Sequence, residues 1–407
     1  KIIEKYDDCA DGYYYRGDFY IKFEKFYSAI KDFEKVIQLD KNYKEAYRGK
    51  GVCYSRLGDN DLAIKNYEVA YYNLGVSYSN LKEYDKAMES YKKALELDEN
   101  DVSAYYNRGR ILAYLGRYKE ALKDFTNAIN LEKYDERLLY ERAGIFYLMK
   151  RYKDALLDYK AFVNLAPHMK EGYLGMADCY CQMNQMNNAI EYYNKSIEID
   201  PNYEESYFNR SVAYLKQDDL RKAIKDLDKV IGLNPKNGEA YYNRALAYGR
   251  MENHTKVIRD FSKAIKMGYK VGKSYCNRGK EYSLTGNFKK AKDDYTRSIE
   301  HGYDSYIVYM GRGAANLDLE EYNEAILDFN KAIELDNTKL GNYYYRGLAY
   351  YNLKQYKEAI DDFSVAIEGC PSDIRAYEKR GDAYCRIGDY DNAIKDFFMI
   401  SRLEQKS

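Results

Sequence analysis

The residues able to do chemistry are few, and their spacing argues against most chemistries. His168, His254 and His301 each stand alone in the chain and are read as loop or packing residues. Cys179 and Cys181 form a Cys-x-Cys, but residues two apart on a helix point to different faces, which is poor spacing for a shared metal. Asp98, Asn100 and Asp101 have the oxygen chemistry of a calcium loop, yet they fall in an ordinary polar turn. Gly311 to Ala314 opens like a dinucleotide fingerprint, but both glycines belong to a helical pattern and no strand precedes them. There is no phosphate-binding Gly-x-x-x-x-Gly-Lys-Ser/Thr loop, no His-Glu-x-x-His and no Gly-x-Ser-x-Gly. The sequence therefore predicts a non-enzymatic protein without metal or cofactor.

One charged motif does recur. An arginine is followed sixteen residues later by an aspartate nine times: Arg16 and Asp32, Arg108 and Asp124, Arg142 and Asp158, Arg210 and Asp226, Arg244 and Asp260, Arg278 and Asp294, Arg312 and Asp328, Arg346 and Asp362, Arg380 and Asp396. Where the arginine is lost the aspartate is lost too: Lys50 with Asn66, Leu74 with Ser90, Met176 with Tyr192. Joint loss predicts direct contact between two helices, a structural register device and not a catalytic pair.

The elements carrying these pairs are legible in Val102 to Asp135. Tyr105, Arg108, Gly109 and Leu112 mark one helical face, and Ala121, Leu122, Phe125, Ala128 and Ile129 mark a second. Gly116 between them suits a left-handed helix terminus. This 34-residue helix pair repeats without insertion from Val102 to Ser407 in nine windows, and earlier copies open at Ala10, Lys44 and Glu68. Position eight is small in all twelve copies, position twenty is alanine in all but one (Val257), and all four prolines fall at position thirty-two. Tyrosine takes position four in eleven copies and position eleven in nine, which accounts for twenty of the 51 tyrosines as packing residues.

The period, the small residue at eight and the alanine at twenty resemble the tetratricopeptide repeat family over Ala10 to Ser407. The resemblance implies an all-α, right-handed superhelical solenoid of stacked helix-turn-helix units. Residues 1–9 read as the tail of a preceding repeat helix, and 10–407 as one array: 10–43, a truncated 44–70, 71–101, then nine full repeats over 102–407. Ten residues are absent at the Ala70–Tyr71 joint relative to the period, where the two helices either fuse or have lost intervening residues; the sequence reading favours lost residues. Phe397, Phe398 and Ile400 in the final helix are poorly suited to face water, which predicts a fragment of a longer array or a docked end.

Composition narrows the partners. Lysine plus arginine equals aspartate plus glutamate, 65 each, which argues against nucleic acid and against the similar RNA-reading pentatricopeptide repeat. No run of eighteen apolar residues occurs, so no membrane insertion is expected. Seven cysteines without a paired framework suit a reducing, cytoplasmic compartment.

In the family the first helix of each repeat lines a concave groove, through positions two, five, six, nine, twelve and thirteen. The chaperone-tail subclass clamps a carboxylate with lysine at five and asparagine at nine; this chain has mostly tyrosine or phenylalanine at five and no asparagine at nine. It resembles instead the asparagine ladder of long arrays such as the targeting arm of O-linked N-acetylglucosamine transferases. Asn73, Asn107, Asn209, Asn243 and Asn277 stand at position six, interrupted by Glu141 and Gly175. Each amide offers a donor and an acceptor to a peptide backbone, with Phe208, Tyr242, Val212 and Leu246 beside them as apolar anchors. The resemblance therefore implies a scaffold or adaptor holding an extended or helical protein segment. The alternatives are a structural subunit of a large trafficking, cytoskeletal or ciliary assembly, or the targeting arm of an enzyme whose catalytic domain is absent.

Overall fold

The computed structural model describes residues 9–405, so eight of the nine residues read as a preceding helix tail lie outside the described residues. Among the described residues there are 23 helices, from Ala10–Lys22 to Tyr390–Glu404, and no strand. The described chain divides into two compact units at Ser206/Tyr207. Within each unit, successive helices pack as antiparallel pairs with their neighbours in sequence, the arrangement of an all-α solenoid.

Packing explains the small residue at position eight. In the repeat opening at Glu68, a Cβ added to Gly75 would lie 2.6 Å from the Tyr91 ring; at Gly347 it would lie 2.9 Å from Phe363. The ring at position twenty-four sits directly on the glycine of the first helix, so the two backbones approach closely. The alanines at position twenty are buried beside them. Val257 fills that place in its repeat and is equally buried.

The turn between the two helices carries a left-handed residue at position fifteen in all twelve repeats. Gly58, Gly116, Gly286 and Gly388 supply it in four, as the sequence predicts for Gly116. In eight it is not glycine: Glu24, Lys82, Lys150, Asn184, Asp218, Glu252, Glu320 and Lys354. Among the described residues four second helices start on a side-chain cap, from Asp59, Asp219, Asn253 and Asp389, as where Asp219 accepts from the Lys222 N–H.

The Ala70–Tyr71 joint corrects the expectation of lost residues. Asn60–Asn80 is one uninterrupted helix of 21 residues. Its first half presents Tyr67 to Gly51 of helix Lys44–Leu57, and its second half presents Gly75 to Tyr91 of helix Tyr84–Leu97. One rod thus serves as second helix of one repeat and first helix of the next, which is why twelve repeats need 23 helices. The apolar period Ile64, Tyr67, Tyr71, Leu74, Tyr78 runs through the joint, so continuation of the helix keeps both contacts.

Candidate functional site

All nine predicted Arg–Asp pairs form. In each, Nε and Nη2 of the arginine donate to the aspartate carboxylate at 2.6–3.1 Å, a two-pronged contact. The aspartates are buried, while the arginines range from buried (Arg244) to half-buried (Arg16). Eight of the nine guanidinium groups lie 5.2–5.8 Å from the ring of the tyrosine three residues before. Arg142 is the exception, because Leu139 stands there. The tyrosine excess at position four is therefore cation–π packing as well as core.

The pairing has a second arm that the spacing did not announce. Nη1 of Arg142, Arg244, Arg278, Arg312, Arg346 and Arg380 reaches back sixteen residues, to Thr126, Asp228, Ser262, Thr296, Asn330 and Ser364 of the preceding repeat. Lys50, which lacks the aspartate, makes only the backward contact, to Glu34 at 3.1 Å. Burial opposes the charge on Arg244, but hydrogen bonds and charges from Asp260 and Asp228 more than offset it, so its pKa stands above the ordinary arginine value. In the repeat that has Met176 and Tyr192, an apolar contact replaces the ion pair.

The asparagine face is only partly open. Asn107 Nδ2 donates to the Tyr72 hydroxyl at 3.1 Å and Asn277 Nδ2 to the Tyr242 hydroxyl at 3.2 Å, each bonding to position five of the repeat before. Glu141, an interruption of the ladder by residue type, accepts from the Tyr106 hydroxyl in the same geometry at 3.4 Å. Asn243 has Phe208 at the corresponding place, which offers no hydroxyl, and its half-buried amide makes no side-chain hydrogen bond among the described residues. Asn73 and Asn209 are likewise half-buried. Tyr242, expected as an anchor, is 4 % exposed and packs against Phe261 and Tyr269, so its ring is not offered to a partner. Phe208 and Val212 are half-buried, and Leu246 is 40 % exposed.

Leu246 and Asn277 share a cleft of about 580 Å³ with Gly249, Arg250, Glu252, His254, Val257, Phe261, Lys280, Glu281 and Leu284. His254 is not alone, contrary to the sequence reading. Its Nδ1 lies 2.7 Å from Oε2 of Glu281, a residue only 8 % exposed. His301 stacks on Tyr275, and His168 is exposed. Cys179 and Cys181 are both buried, and burial pushes the Cys179 thiol up to about 12, the behaviour of an inert packing group. Among the described residues no three His, Cys, Asp or Glu side chains are placed to hold a metal ion, and no helix is long and apolar enough to cross a membrane.

Tetratricopeptide repeat models match residues 10–43, 69–101, 102–135, 177–252, 238–267, 276–339 and 347–388. Similar solved structures include the Cut9–Hcn1 hetero-tetramer of the APC/C, at 14% identity over 98% of this chain and 94% of that one, TM-score 0.42. A tetratricopeptide repeat protein from Parabacteroides merdae matches at 20% identity over 61% of this chain and 98% of that one, TM-score 0.45. YrrB, described as a TPR protein with an unusual peptide-binding site, matches at 24% identity over 51% and 95%, TM-score 0.37. No curated protein matches the chain.

Proposed function

Since the chain belongs to the tetratricopeptide repeat family, whose members are protein-interaction scaffolds, we propose that it is a non-enzymatic adaptor holding an extended protein segment along its first helices. The observation that carries this reading is Asn243. Its amide sits half-buried on the first-helix face, in line with Asn209 and Asn277, with both its donor and its acceptor uncommitted. A peptide backbone unit has the complementary donor and acceptor. Asn107 and Asn277 keep their carbonyl oxygens for a backbone N–H, while their amide hydrogens brace the preceding tyrosine. The other features are structural: the ion pairs are engaged within the array, and the buried thiols are inert.

The test uses linear peptides selected from a random display library on the full chain, with affinity read by fluorescence polarisation. Asn243→Ala should weaken a selected peptide roughly 2- to 12-fold, the range for one neutral hydrogen bond, and leave the thermal melt unchanged. Failure to select any peptide, or equal affinity for the variant, would remove this reading. A second reading, a structural subunit gripped on other surfaces, is favoured by apolar side chains exposed on helix Tyr390–Glu404, Phe398 at 68 % among them.

A further inference from the structure

The repeat opening at Gly238 and its successor depart from the pattern of the array at four places, and all four line one cleft. Position twelve is Gly249, where every other repeat has a side chain, among them Leu215, Leu317 and Tyr351. Position seventeen is His254, where ten of the other eleven repeats have an aromatic or aliphatic residue. Position twenty is Val257, the one replacement of alanine. Position ten of the next repeat is Glu281, where the other eleven have no charged residue. The cleft of about 580 Å³ joining them lies between helix Val271–Leu284 and the pair Gly238–Arg250 and His254–Lys266.

Nothing in the packing requires the glycine. A Cβ on Gly249 would meet only Val257 Cγ2, at 3.8 Å, an ordinary contact. What the glycine does is leave the wall open above a carboxylate. Glu281 is buried, and among the described residues its side chain has one hydrogen-bond partner, Nδ1 of His254. That single partner leaves the carboxylate with unused acceptor capacity in a place where burial is costly. The cations at the rim do not use it. Arg250 is held by the Leu215 carbonyl and Asp218, and Lys280 is exposed and makes no ion pair among the described residues. Below the carboxylate the floor is apolar, with Val257 and Phe261 buried, and Leu246 and Leu284 flank the mouth.

We propose that this cleft is a specificity pocket for one basic side chain, lysine or arginine, of the bound segment. The stem of such a side chain is methylene and lies on apolar surface, while its head is charged. Leu246, Leu284, Val257 and Phe261 take the stem, and Glu281, oriented by His254, takes the head. This rests on the reading that the first-helix face holds a protein segment, and it adds what that segment must carry.

The experiment selects random linear peptides by display on the full chain and on two variants, Gly249→Leu, which fills the cleft, and Glu281→Gln, which removes the charge at constant size. Peptides from the unmodified chain should carry a lysine or arginine at one fixed register. A fluorescently labelled selected peptide should bind each variant at least about tenfold more weakly, as for loss of a charge-assisted contact. Replacing its basic residue with methionine should weaken binding to the unmodified chain and add nothing in Glu281→Gln. Thermal melts of both variants establish folding, and either folded variant suffices for the test. Selected peptides without a basic register, or binding indifferent to both variants while Asn243→Ala still weakens it, would overturn the pocket and leave the adaptor reading standing. If the unmodified chain selects no peptide, both readings fall together.

Discussion

The arginine at position seven works in two directions at once. Its fork closes its own helix pair through the aspartate sixteen residues on, and in at least six repeats its remaining nitrogen ties that pair to the repeat before. Because Asp260 is wholly buried, Arg244→Met should be costly, about 3–5 kcal/mol, since it takes away the two-pronged contact and leaves the carboxylate the longer one from Arg259 Nε at 3.1 Å. Pairing it with Asp260→Leu should recover much of that loss. Arg16→Met should cost less, because the Arg16 side chain is 39 % exposed where that of Arg244 is 10 %. Amide exchange in the affected helices is the right measure, since a repeat array does not unfold in one step. Asn342 offers the opposite case: it is fully buried and neither of its amide atoms has a hydrogen-bond partner among the described residues. Asn342→Ala should therefore stabilise its repeat by about 1–3 kcal/mol; a loss of protection there would show that the amide is satisfied after all. The forward pair was legible in the sequence because the same two residue types appear and vanish together. The backward arm was not, since threonine, aspartate, serine and asparagine share a polar end but no identity. The Asn277–Tyr242 bond escaped notice for a related reason, as it joins residues 35 apart in neighbouring repeats.

At the level of elements, the 34-residue period revealed the helix pairing, and Gly116 marked a turn. The eight turns that hold a left-handed residue without glycine carried no such signal. Those residues store strain, so Lys354→Gly should raise local stability by about 1 kcal/mol, measured as increased amide protection in helices Gly341–Asn352 and Tyr356–Gly369. The fused helix was weighed from the sequence and set second, because a register break looks the same whether residues are lost or a turn is bypassed. The apolar stripe through Tyr67 and Tyr71 was the correct clue. Ala70→Pro should break the rod at a cost of about 3 kcal/mol or more, seen as loss of protection over Asn60–Asn80. A mild effect would mean that a turn separates the two halves.

Across the whole molecule, stability is a sum of repeats and their neighbour contacts, so the array tolerates local departures, and the cleft around Gly249 is such a place. Charge is balanced overall, 65 against 65, which leaves recognition to local features and not to a field. The twelvefold pattern made the fold legible, but it also masked the candidate site, since Glu281 and Gly249 stand out only when their repeat is set against the others and the cleft between them is seen. The most direct test of the adaptor reading is crosslinking mass spectrometry on the complex isolated through the native chain. Lys273 and Lys280 are exposed on the first helix Val271–Leu284, at positions two and nine, while Lys225, Lys263 and Lys290 belong to second helices. The account predicts that crosslinks to a partner segment fall on Lys273 and Lys280; crosslinks confined to Lys225, Lys263 and Lys290 would contradict it.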